Sequence, residues 1–155
     1  MDGWTVIEGE LDRDDVRALL ALHFAEMRAD SPPEACHVLP IDGLKSPDVR
    51  FFSLRNADGK LLGVGAVKSI EPAHGEIKSM RTAPAALGLG VGRRLLAHLV
   101  AKARASGMNR LSLETGNSRL FDPANRLYLR EGFERCGPFG AYTATPFTNF
   151  YSRPL

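Results

Sequence analysis

The stretch from Gly75 to Gly107 constrains this chain more than any other. Ile77 and Met80 are the apolar members of a short strand-like run bounded by Gly75 and Pro84. Gly88-Leu89-Gly90-Val91-Gly92 follows, and then a segment with a different period. Val91, Leu95, Leu96, Leu99, Val100 and Ala103 recur at the spacing of one face of an α-helix. Arg93, Arg94, His98, Lys102 and Arg104 take the other side, and Gly107 stands where such a helix would end. The pattern is strand, glycine loop, helix.

Three glycines at alternate positions before a helix have a physical use. Without a Cβ the backbone can adopt positive φ and approach a ligand closely. The first unpaired N–H groups of the helix then face that ligand, aided by the positive end of the helix dipole. Such a site suits phosphate or pyrophosphate. The spacing excludes two familiar loops. A Walker loop needs Lys and then Ser or Thr after its last glycine, and here Gly92 precedes Arg93-Arg94. A dinucleotide fingerprint counted from Gly88 or Gly90 puts Arg93 or Leu95 at its third glycine. The bland alternative is a tight strand-to-helix connection with no ligand.

The rest of the chain reads as scaffold. Trp4 to Glu8 forms a first strand, and Asp12 is a candidate N-cap for a helix carrying Val16, Leu19, Leu20, His23, Phe24 and Met27. Ser31 to Pro47 is broken by four prolines and reads as an irregular loop holding Glu34, Cys36, His37 and Asp42. Val49–Arg55 and Lys60–Ile70 are strands joined by the turn Asn56-Ala57-Asp58-Gly59. Gly63, Gly65 and Ala66 signal close packing against a neighbour or a ligand. Arg110 to Thr115 alternates as a further strand, and Pro123 starts a helix through Leu127 and Tyr128 that Gly132 ends. Phe133–Gly137 and Thr148–Ser152 are closing strands. This order implies a mixed sheet with helices on its faces.

At 155 residues the chain is expected to be one domain, spanning residues 1–155. Twenty basic and 18 acidic residues give a net charge of +2, so charge makes no case for nucleic acid or a membrane surface as partner. Cys36 and Cys136 have no metal-ligand or Cys-x-x-Cys spacing, and no metal is expected. No apolar run is long enough to span a bilayer, and a cytoplasmic setting is expected.

Two segments together resemble the GNAT-type N-acetyltransferases. Gly90 and Gly92 match the small positions of that family's Gln/Arg-x-x-Gly-x-Gly/Ala motif, and Pro84 its usual upstream proline, while Leu87 replaces the Gln or Arg. Ala124, Tyr128, Gly132 and Phe133 match the second signature, Ala-x-x-x-Tyr-x-x-x-Gly-Phe, with Phe121 where an Asn is usual. The likeness spans roughly Phe51 to Phe133. It implies an α/β (α+β) single domain with a mixed, mostly antiparallel sheet of six to seven strands, flanked by helices on both faces.

The same resemblance implies direct transfer of an acetyl group from acetyl-CoA, as co-substrate, to an amine of a small molecule or peptide. The backbone of Met80 and Thr82 would meet the pantetheine, and that of Leu87, Gly88, Leu89, Gly90, Val91, Gly92 and Arg93 the pyrophosphate. Tyr128 matches the family's acid for the departing thiolate. Glu76 is nominated as base, with Glu114 second; both also read as solvent-facing sheet residues, more so Glu114. Glu34 and His37 are the candidates for acceptor binding, and His37 is a third candidate base. A catalytically silent CoA-binding regulatory module would keep the glycine loop and lack a working amine site. The acceptor's identity and the oligomeric state, a homodimer included, stay open at this point.

Overall fold

The computed structural model describes residues 3–30, 32 and 39–155. Glu34, Cys36 and His37 therefore lie outside the described residues. The elements in chain order are β1 (Thr5–Glu8), α1 (Asp14–Asp30), α2 (Ile41–Leu44), β2 (Val49–Arg55), β3 (Leu61–Glu71) and β4 (His74–Thr82). After them come α3 (Val91–Ala105), β5 (Arg110–Gly116), α4 (Asp122–Arg130), β6 (Glu134–Cys136) and β7 (Thr148–Pro154). No helix among the described residues is long and apolar enough to cross a membrane.

Seven strands form one sheet in the order β1-β2-β3-β4-β5-β7-β6. All neighbours are antiparallel except β4 and β5. That parallel pair is short: its register runs only from His74↔Arg110 to Glu76↔Ser112. Beyond Glu76 the two strands part, β4 continuing to Thr82 and β5 to Gly116. Each still has its outer neighbour, β3 for β4 and β7 for β5. The sheet therefore splits into two arms with Glu76 at the vertex.

The two faces carry separate cores, as the period-2 alternation of a strand requires. Phe51 and Phe52, adjacent in β2, belong to opposite ones. On one face α3 packs Leu96, Leu99, Val100 and Ala103 against Phe52, Val67, Ile77, Leu111 and Leu113, with Tyr128 and Phe133 completing the cluster. On the other, Val16, Leu19 and Leu20 of α1 and Leu44 of α2 cover Phe51, Leu61, Val64 and Ala66. Gly63 and Gly65 owe their small size to neighbours in the protein. A Cβ on Gly63 would stand 2.7 Å from Val91 Cγ1, and one on Gly65 2.8 Å from Met80 Sδ. The first turn of α3 can thus press directly on β3.

The main departures from the sequence reading are local. Asp12 does not cap α1: its carboxylate accepts a hydrogen bond from Lys45 Nζ at 2.8 Å, and the helix starts at Asp14. The Arg13 carbonyl takes the first helical bond, from the Arg17 N–H at 3.0 Å. The proline-broken loop contains the short helix α2. His74 belongs to β4 instead of the turn, and the strand read at Phe133–Gly137 shrinks to Glu134–Cys136.

Candidate active site

An irregularity in β4 shapes the site. Val64 pairs with Arg81 and Ala66 with Lys78, so β4 carries one more residue than β3 over this interval. The extra residue is absorbed by a bulge at Ser79, which has φ 55°, the left-handed region seldom used by a serine. The bulge also resets which way the following side chains point. Ile77 and Met80 both face α3, while Arg81 reaches α1 and forms an ion pair with Glu26. Without the extra residue, strict alternation would turn Arg81 toward α3. Glu76, Lys78 and Arg81 thus share the α1 side of the opened sheet.

Beyond Thr82 the chain makes one 3₁₀ turn, Pro84–Ala86, and enters the glycine loop. Gly88 and Gly90 have φ 79° and 88°, and a Cβ on either would meet nothing within 4 Å. Glycine is needed there for backbone conformation, and the backbone fronts open space. Gly92 has a different reason: a Cβ would lie 3.0 Å from Leu127 Cδ2 of α4. The first intrahelical bond of α3 is Arg94 N–H to the Gly90 carbonyl, at 3.1 Å. The N–H groups of Val91, Gly92 and Arg93 are therefore left over, with no acidic side chain in the first turn to compete for an anion.

The parted strands and this loop enclose a cleft of about 640 Å³, a volume suited to a small-molecule site. Met80, Thr82, Leu87, Gly88, Gly90, Val91, Gly92 and Arg93 line it, with Tyr128 and Glu76. Leu89 does not; its side chain is exposed on the outside of the loop. The Arg93 side chain is 78 % exposed and its Nε lies 3.0 Å from Glu131 Oε1, so part of its charge is already matched.

Tyr128 is buried between Phe133 and Tyr151, at ring separations of 5.8 and 6.0 Å. Burial is the sole cause driving its phenol well above the usual value of 10, so the hydroxyl keeps its proton across the neutral range. Tyr128 is both a core residue and a wall of the cleft. Its position follows from α4, which begins with Pro123 in its first turn and turns Tyr128 inward.

Glu76 is almost completely buried at the vertex and is not solvent-facing. Tyr142 donates its hydroxyl to Glu76 Oε2 at 2.5 Å. Lys78 Nζ donates to the same oxygen at 3.3 Å and to the Tyr142 oxygen at 2.8 Å. Tyr142 belongs to the segment between β6 and β7, where its ring packs on Phe139 and Phe150. Burial and the hydrogen bond to Glu76 both raise its phenol far above 10. Glu114, half-buried on β5, also lines the cleft.

Two more groups on this side escaped the sequence reading. His23, which the helical period groups with the apolar face of α1, is 7 % exposed and lines the cleft. Its Nδ1 is buried without a hydrogen-bond partner among the described residues. Burial, and next the nearby Arg81 charge, push its imidazole down to about 4 despite the opposing pull of Glu26. Ser79 at the bulge likewise has a buried, unpartnered Oγ. A histidine at a core position of an amphipathic helix was the one available signal for His23. Tyr142, in a glycine- and proline-rich segment, gave none.

A split parallel pair, a bulge at its edge and a glycine loop opening the following helix together form a cleft with an anion-binding end and a polar wall. Known proteins are more specific. The model of the Acetyltransferase (GNAT) family matches residues 14–133, and the chain belongs to that family. The uncharacterized N-acetyltransferase YedL of Escherichia coli is 40% identical over 152 residues, covering 98% of this chain and 95% of that protein. The uncharacterized N-acetyltransferase YsnE of Bacillus subtilis is 40% identical over 146 residues, 94% and 96% of the two chains. A Klebsiella pneumoniae structure assigned as an acyl-CoA N-acyltransferase superposes with a TM-score of 0.80, at 29% identity and 98% and 97% coverage. A GNAT acetyltransferase from Elizabethkingia anophelis, solved with acetyl-CoA bound, shares the fold at a TM-score of 0.71, 15% identity and full coverage of both chains. The protein is an acetyl-CoA-dependent N-acetyltransferase.

Proposed function

We propose that the protein, as one domain over residues 1–155, moves the acetyl group of acetyl-CoA directly to a primary amine of a small molecule or peptide, with both substrates bound together. The observation that carries this reading is the opening between β4 and β5 beyond Glu76. It admits a cofactor arm alongside the unpaired edge of β4 and leaves the α1 side free for an acceptor. The left-over N–H groups of Val91, Gly92 and Arg93 suit the pyrophosphate, and the open space in front of Gly88 and Gly90 gives it room. The backbone of Met80 and Thr82 holds the pantetheine in this reading. A cytoplasmic setting fits it, since acetyl-CoA must be at hand.

The chemistry asks for three services. The amine nitrogen attacks the thioester carbonyl, a C–N bond forms, the C–S bond breaks, and the amine loses a proton. An alkylammonium has a pKa of about 10, so a base must help at neutral pH. Glu76 serves as that base, receiving the proton through Tyr142, whose hydroxyl already donates to it, or through water. In this reading the developing oxyanion is met by backbone N–H groups of β4 near the Ser79 bulge, where the strand has no β5 partner. Tyr128 gives a proton to the departing thiolate, which its retained proton allows. A thiol-release assay with acetyl-CoA over a panel of amines tests the whole reading. Acetyl-CoA binding with no thiol release from any amine would overturn it.

A further inference from the structure

The acceptor side of the cleft is not uniformly acidic, as a site for a simple cationic amine would be. Arg81 lines it beside His23 and Glu26, directed there by the bulge at Ser79. The Arg81 side chain is 17 % exposed, and its closest approach to Glu26 is through Nη2. Guanidinium has five N–H donors, more than one carboxylate can accept, which leaves capacity for a second acceptor. Glu26, on the rim of the helix, is 36 % exposed at its side chain and can turn to water without stranding its charge. His23 adds a buried ring nitrogen that no described residue satisfies. A buried polar atom without a partner calls for one, and here it sits at the wall of a substrate cleft.

We propose that Arg81, with His23 beside it, binds a carboxylate of the acceptor, so that the acceptor is an amine that also carries a carboxylate, such as an amino acid. Glu26 holds the guanidinium until the acceptor arrives and is displaced by it. The two charges of the acceptor are then read at different places along β4. The carboxylate meets Arg81, beyond the bulge, and the amine faces Glu76, before it. Planar bidentate pairing is what favours Arg for this task. The inference rests on the acetyltransferase reading above and names its substrate class.

The experiment compares acceptor pairs that differ in one group: free α- and ω-amino acids against their carboxamides, with acetyl-CoA, in the thiol-release assay. The wild type is expected to favour the free acid of at least one pair by about tenfold or more in kcat/KM, the scale of a charge-assisted pair. This runs against intrinsic reactivity, because the α-amine of a carboxamide is the less basic and is more often neutral. Arg81→Met should abolish that preference through KM, leave the acetyl-CoA Kd within about twofold, and be partly rescued by Arg81→Lys. Glu26→Gln should act in the opposite direction and lower KM for the acid, an improvement that mere damage to the fold would not produce. The proposal is overturned if carboxamides or simple alkylamines are used as well as the acids, or if Glu26→Gln raises KM. Turnover of carboxylate-free amines alone would leave the acetyltransferase reading intact and sink this one. Acetyl-CoA bound with no amine turned over would sink both.

Discussion

Tyr128→Phe isolates one proton. The substitution keeps the ring and hence its packing on Phe133 and Tyr151, and removes only the hydroxyl. Burial is the one influence on that hydroxyl's titration, so no charged or hydrogen-bonded neighbour is stranded by its loss. The change in folding stability should stay below about 1 kcal/mol. Catalysis should lose far more. A positioned acid is worth on the order of 10²–10⁴ in rate, or about 3–5 kcal/mol of transition-state stabilisation. The loss should fall on kcat, with the Kd for acetyl-CoA unchanged within about twofold, because the pyrophosphate and pantetheine contacts lie elsewhere. The assay is single-turnover acetyl transfer at saturating substrates, which separates chemistry from product release. A pH series adds a second reading. Burial raises the Tyr128 phenol, so the wild-type acid form persists above pH 10 and any loss of rate from its ionisation lies at still higher pH. The Phe variant should show a low, flat alkaline limb. A kcat within about twofold of wild type, with chemistry limiting, would refute the acid role and leave Tyr128 as a core residue alone.

Gly90→Glu should weaken acetyl-CoA binding sharply in calorimetric titration, because a carboxylate would project into the open space where phosphate belongs, and Gly92→Glu should weaken it by crowding Leu127 and displacing the first turn of α3; unchanged affinity in folded variants removes the loop from the site. Glu76→Gln should lower kcat/KM most at low pH, where the amine most needs a base, and Tyr142→Phe should act in the same direction but less steeply. Profiles superimposable on wild type would dismiss Glu76 as the base. His23 should make folding sensitive to acid: its folded pKa of about 4 lies below the unfolded value near 6.5, so the unfolded chain binds the proton first as pH falls. Stability is then lost progressively from about pH 6.5 to 4, by about 3 kcal/mol in all, and His23→Leu should flatten that slope in urea melts at pH 7.5 and 5. An unchanged slope would show that the imidazole is free to charge in the folded protein.

What the sequence determined by itself has causes that act within a few residues. The period of Val91 to Ala103 made α3 legible because a helix repeats its buried face every turn. Asn56 to Gly59 made a hairpin legible because the turn is self-contained: Asn56 Oδ1 accepts from the N–H groups of Asp58 and Lys60, and Gly59 takes φ 81°. The glycine loop was legible for the same reason, since Gly88 and Gly90 are required by their own φ angles. Tertiary structure alone decided the rest. The vertex at Glu76 depends on where β5 leaves β4, which sheet order sets and no local propensity encodes. Asp12 looked like a cap until Lys45, brought near by α2, claimed its carboxylate. Tyr142 reaches Glu76 from the segment between β6 and β7, and sits there because β7 returns beside β5. Arg81 points at α1 because a bulge shifts the alternation by one residue, and a bulge is defined by the partner strand. Local residues chose the elements; long-range pairing chose which of their side chains would share a site, because two positions far apart in the chain meet only through the packing of everything between them.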